Sequence, residues 1–168
     1  VYVCNQAATV AWTHGDVEAT ARYSRETVEL SERYGLFFAP IGALHLAWCD
    51  GNPDGIMPSI EMLLAFGTQT GTTAFHLELA DAYRMRGAYD DALSAIGRAL
   101  GFAHANNEMY YAADLLRLRG DTHQERGETS AAVEAYEAGL QLARERGSVL
   151  FASRLTARLE QLRAAHEP

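Results

Sequence analysis

The sequence predicts an all-α array of helical hairpins, and three observations carry that prediction. Turn residues recur at a fixed period, charged residues alternate with apolar ones, and only four prolines interrupt 168 residues. Gly15, Gly51, Gly87 and Gly127 are separated by 36, 36 and 40 residues. Gly35, Gly71, Asn107 and Gly147 repeat the same intervals, and each step from the first series to the second is 20 residues. Gly and Asn tolerate positive φ and close helices in left-handed caps. Two interleaved series in constant phase therefore read as helix, tight turn, helix, tight turn.

The helices this predicts run over about 2–14, 16–34, 37–50, 55–70, 73–86, 89–105, 108–126, 129–146 and 149–165. They form one array over 1–168, with hairpins 2–34, 37–70, 73–105 and 108–146 and a capping helix 149–165. Asp16, Asp54 and Asp90 sit near first-turn positions, where a carboxylate meets free amides and the positive end of the helix dipole. Pro53 and Pro58 suit the start of their helix, where no amide hydrogen is required. The fourth hairpin is four residues longer in its first helix, close to one turn, so its face is nearly preserved. In the last helix Leu150, Phe151, Leu155, Leu159 and Leu162 form an apolar stripe, with Arg154, Arg158, Glu160 and Arg163 on the other faces. This is a cap for the last hairpin. The first hairpin has no polar cap, so its outer face is expected to be adhesive. The chain starts at Val1 without Met and already in a helix, which reads as a piece of a longer protein. His166-Glu167-Pro168 reads as a C-terminus or its near neighbour.

Composition narrows the function. The net charge is −8, from 22 acidic residues and 14 basic ones, all arginine. No basic stripe is available for a nucleic-acid backbone. Lysine-free composition points to a GC-rich, bacterial genome. No apolar run approaches the ~20 residues that span a bilayer, and no signal peptide is present. Cys4 and Cys49 have no metal-site spacing and read as buried thiols of a cytoplasmic protein. Phosphate-binding, dinucleotide, zinc-protease and nucleophile-elbow motifs are absent, so neither catalysis nor a cofactor is expected. No two of the six histidines are three or four residues apart, and His45 with Cys49 supplies only two ligands, so no metal is expected. Glu78 with Asp81, and Asp90 with Asp91, read as a solvated face and a helix start rather than acid–base pairs. His123 reads as a packed, hydrogen-bonded histidine.

The stretch Leu79-Ala80-Asp81-Ala82-Tyr83-Arg84-Met85-Arg86-Gly87-Ala88-Tyr89-Asp90-Asp91-Ala92 resembles the tetratricopeptide (TPR) repeat, through Ala80, Tyr83, Gly87, Tyr89, Ala92 and the later Ala99. The fourth hairpin resembles it through Gly120, Gly127, Ala132 and Tyr136. The first two hairpins resemble it by spacing, with Thr20 and Ile56 where Ala is usual. The longer units, and Ala135 to Arg144 in style, are similar to the arrays of large bacterial signalling regulators that carry ATPase, cyclase or helix-turn-helix domains.

The resemblance implies a right-handed superhelix whose first helices line a concave groove. It places Tyr2, Asn5, Thr9 and Trp12 in that groove from the first unit, and Phe38, Ile41, His45 and Trp48 from the second. The third unit supplies Ala74, Leu77, Asp81 and Arg84, and the fourth Asp114, Arg117, Asp121 and Gln124. Trp12 and Trp48 read either as core or as contact residues for a partner. The implied function is binding of a protein or peptide partner by a regulator's interaction or sensor array. One alternative is self-association as a homodimer. Another is a sensor of a small ligand or signalling peptide, which requires a closed apolar pocket near the two tryptophans. The Ala92→Glu variant is expected to lose its cooperative thermal melt, because a carboxylate would enter a tight helix crossing; wild-type melting would refute the register.

Overall fold

The computed structural model describes residues 1–67 and 71–165, and they divide into two compact units, Val1–Gly87 and Ala88–Pro168. Every regular element among the described residues is helical. The first unit holds α1 (Tyr2–Thr13), α2 (Val17–Tyr34), α3 (Ala39–Cys49), α4 (Pro53–Ala65) and α5 (Thr72–Met85). The second holds α6 (Tyr89–Ala105), α7 (Ala112–Glu125), α8 (Thr129–Glu145) and α9 (Val149–Ala164). All eight turn residues of the two interleaved series have positive φ. Asn107 is the single non-glycine among them, at 55°, where its amide side chain is tolerated. After α1, α2, α3, α6, α7 and α8 the same backbone bond closes the helix, from an amide to the carbonyl five residues back. Asp16 to Ala11 (3.0 Å) and Ser148 to Ala143 (2.8 Å) are examples.

Helix starts depart from the sequence reading where proline or aromatic residues intervene. Helix α3 begins at Ala39 with Pro40 in its first turn. Helix α4 begins at Pro53, two residues early, which leaves Pro58 inside the helix rather than at its start. Its expected last residues, 68–70, lie outside the described residues, as do His166, Glu167 and Pro168. The helix expected over 108–126 opens instead with a 3-10 turn, Met109–Tyr111. There Tyr110 and Tyr111 set their rings 5.6 and 6.1 Å from Phe151. Asp16 caps α2 by accepting the Ala19 amide at 2.9 Å.

In the first unit each helix packs on the next, and the first helices also touch one another, α1 on α3 and α3 on α5. Close approach depends on small residues. Helix α2 buries Thr20, Ser24, Thr27 and Ser31. Three of these hydroxyls donate to the carbonyl one turn back, at 2.6 Å (Thr20), 2.8 Å (Thr27) and 2.5 Å (Ser31). Thr20 thus fills an alanine-like position without stranding its hydroxyl. Opposite them stands Gly42, where an added Cβ would meet Val28 Cγ2 at 2.8 Å and the Ser24 carbonyl at 2.9 Å.

The second unit repeats the arrangement, with α6 on α7, α7 on α8, α8 on α9, and α7 on α9. Its core joins Ala113, Ala132, Tyr136 and Ala143 to Phe151, Leu155, Leu159 and Leu162, the apolar stripe of the capping helix. At Gly120 the Tyr136 ring lies where a Cβ would project. By contrast, Gly97 and Gly101 lie inside α6 with open space beside them. Gly120→Ala is expected to destabilise the protein by about 1–3 kcal/mol, since the ring must move. Gly97→Ala is expected to stabilise it by about 0.5–1 kcal/mol through helix propensity. Denaturant unfolding of the two variants checks both signs.

Candidate functional site

In the first unit the predicted groove positions build a polar ladder across α1, α3 and α5. Thr9 Oγ1 donates to the Asn5 carbonyl at 3.1 Å and lies 3.4 Å from His45 Nε2. The other ring nitrogen, Nδ1, lies 2.8 Å from Glu78 Oε2. One turn further along, Trp48 Nε1 donates to Asp81 Oδ2 at 2.9 Å, and Arg84 Nε donates to Asp81 Oδ1 at 2.9 Å. Both cross-helix bonds link residues 33 apart, three fewer than the 36-residue repeat. A residue on one first helix thus meets the next one a turn back from its own equivalent. The Trp12 ring sits 6.1 Å from the His45 ring.

Burial sorts these residues sharply. Trp12 and Trp48 are 7% and 5% exposed, so both rings belong to the packed interior. Asn5, His45 and Leu77 are buried, as is Ala74, while Thr9, Ile41, Phe38, Asp81 and Arg84 are partly buried. Tyr2 is 62% exposed and meets Phe38 edge-on at 6.2 Å. Glu78 was expected on a solvated face; instead it is fully buried against His45. Burial pushes its carboxyl above the ordinary value, and His45 opposes that shift. Burial likewise raises the Cys49 thiol to about 11, with Glu78 adding to the effect. Both nitrogens of His45 are engaged, which accounts for the residue without a metal. Among the described residues no three His, Cys, Asp or Glu side chains gather as a metal site.

In the second unit two buried carboxylates, Asp114 and Asp121, hold a set of arginines. Arg117 Nε donates to Asp114 Oδ1 at 2.5 Å, and its Nη1 donates to Asp121 Oδ2. Arg158 Nε reaches back from α9 to Asp121 Oδ1 at 2.8 Å. Arg154 Nη1 stands 3.9 Å from Asp114 Oδ1. The Tyr136 hydroxyl lies 2.7 Å from Asp121 Oδ1 and 2.9 Å from the exposed Gln124 Oε1. Burial, then Asp121, pushes the Tyr136 phenol well above its usual range. Desolvation lowers Arg154, with Asp114 opposing.

Sequence reasoning left Arg154 and Arg158 on outer faces of a cap, yet both reach the carboxylates of α7. For Arg158 the register could have shown it: it lies 37 residues beyond Asp121, again three fewer than the local 40-residue repeat. His123 is bonded as its packing position suggested, through Nδ1 to Glu128 Oε2 at 2.6 Å.

No protein-family model matches the sequence, and no curated protein matches it. Among solved structures, it is similar to nearly identical TPR-like repeats from a Podosopora anserina protein described as a kinesin light chain. The TM-score is 0.56 at 12% identity, over 99% of this chain and 96% of that one. The chain therefore has a TPR-like, all-α helical repeat fold. Replacing Trp48 by Ala is expected to cost about 3–5 kcal/mol of stability, as for a buried aromatic ring. Circular-dichroism unfolding tests this; a loss below about 1 kcal/mol would place the ring at a contact surface instead.

Proposed function

We propose that this chain is a protein-interaction module of a bacterial regulatory protein, binding a peptide, helix or sister domain along the face built by its first helices. One observation carries the reading. In the second unit Arg117, Arg154 and Arg158 occupy one face, with 18%, 26% and 41% of their side chains exposed. Buried Asp114 and Asp121 orient them. A guanidinium held by a buried carboxylate has already lost much of its rotamer freedom, so it binds a partner's acceptor at low entropic cost. Arginine in such settings is a common interface anchor. Gln124, exposed beside Tyr136, extends the face.

A second reading, self-association, is favoured by a separate observation. Tyr2, Val3 and Val10 on α1 are 62%, 77% and 57% exposed. Apolar side chains this open on one helix favour contact with another surface, a second copy included.

A tiled peptide array, followed by titration of its hits, tests the first reading. Arg158→Ala is expected to weaken binding about tenfold, whereas Arg98→Ala on the exposed side of α6 leaves it unchanged. Equal losses in both variants would sink the assignment to this face. Light scattering across a concentration range tests the second reading: a dimer that Val3→Glu abolishes supports it, and a monomer at every concentration removes it.

A further inference from the structure

We propose that His45 and Glu78 share a single proton, and that this proton is a pH-sensitive latch fastening α5 to α3. Hydrogen-bond accounting leads there. Thr9 Oγ1 spends its one hydrogen on the Asn5 carbonyl, at 3.1 Å. Toward His45 it can only accept, so Nε2, 3.4 Å away, carries a hydrogen. Nδ1 then faces Glu78 Oε2 at 2.8 Å, a distance that requires one hydrogen between them. That hydrogen sits on nitrogen, giving imidazolium and carboxylate, or on oxygen, giving imidazole and carboxylic acid. Either way the pair holds the same number of protons and has no net charge. A further proton would leave a buried cation. The loss of the shared one would set two lone pairs against each other and leave a buried anion.

The surroundings offer no substitute charge. The side chains of His45 and Glu78 are 2% and 0% exposed. Glu78 Oε1 has no hydrogen-bond partner, and burial pushes the carboxyl upward. From α1 come Thr9 and Asn5, both uncharged. On α3, Cys49 stays protonated through neutral pH, its thiol raised to about 11. On α5, Asp81 bonds Trp48 and Arg84 and its charge adds to the upward push on Glu78, while His76 stands two positions before Glu78, about 200° around the helix. Arg25 of α2 acts on Cys49. The carboxylates of α4, Asp54 and Glu61, are exposed, and Asp54 pairs with Arg86 at 2.9 Å.

The sign of the pH dependence follows from proton counts. An unfolded chain releases its carboxyl proton near the ordinary value of 4.5 and its imidazole proton at ~6.5. Between those values both states hold one proton on this pair, and above ~6.5 only the folded state does. Stability therefore falls tenfold in the folding constant per pH unit above ~6.5. In Glu78→Gln the amide donates to Nδ1 and the imidazole stays neutral. Its stability falls instead as pH drops below ~6.5, because the unfolded chain then binds the extra proton. Relative to Glu78→Gln, the natural protein thus loses stability steadily from ~4.5 upward, as a carboxyl with a raised folded-state pKa requires.

Urea unfolding of both proteins from pH 4.5 to 8.5 reads this difference. The expected result is a natural protein that is level below ~6.5 and loses stability above it, and a Glu78→Gln variant that gains stability up to ~6.5 and is level above it; parallel curves would overturn the proposal. If Glu78→Gln does not fold, nitrogen-15 NMR of the natural protein decides. His45 is expected to keep unchanged ring-nitrogen shifts from pH 5 to 8. Ring nitrogens that titrate across that window would overturn the shared proton.

Discussion

Two helices can pack at close quarters only where one of them presents little beyond a Cβ atom, and each unit is organised around such places. Gly42 faces the hydroxyl stripe of α2, Gly120 faces the Tyr136 ring, and a Cβ at Gly139 would meet Leu155 Cδ2 at 2.9 Å. Gly120 closes the α7–α8 hairpin, whereas Gly42 and Gly139 let a hairpin approach the helix that follows it; in the first unit that approach brings one first helix near the next. The polar bonds between first helices depend on that proximity. Thr9, His45 and Glu78 could not meet if α3 stood farther from α2.

The two units use the first-helix layer differently. In the first unit the layer is largely sealed. Its tryptophans are packed, His45 is spent on both nitrogens, and Glu78 and Asp81 bond residues of α3, although Arg84, held by Asp81, keeps 22% of its side chain exposed. In the second unit the carboxylates are buried but the arginines they hold remain partly exposed. The difference comes from side-chain reach. A tryptophan or histidine ends close to its own helix and is covered by the next one. An arginine is long enough to keep its stem on apolar surface while its guanidinium stays near water. This contrast makes the second unit the better candidate for a partner.

Buried ionisable groups at these crossings carry a cost that hydrogen bonds must offset. Asp114 and Asp121 are well compensated by arginine and tyrosine donors. Glu78 has one imidazole and nothing on its second oxygen. Its protonation is therefore tied to the contact between α3 and α5.

The sequence by itself determined the hairpin order and the turns, because a left-handed cap is a local requirement that Gly or Asn satisfies wherever it occurs. Gly15, Gly51 and their successors therefore marked the turns without any knowledge of packing. The apolar stripe of α9 was legible for the same reason, since three- and four-residue spacing belongs to one helix. Local pattern also had limits: the aromatic pair Tyr110-Tyr111 turned the start of one helix into a 3-10 segment by packing on Phe151. Tertiary structure alone decided which groove positions are sealed. Trp48 and Gln124 each stand three residues before their turn glycine, and one is covered while the other is exposed. Glu78 was missed because its partner lies 33 residues away in another helix, where no local rule reaches. Whether a side chain is solvated, paired or buried is set by its cross-helix neighbours, and those exist only once the hairpins have packed.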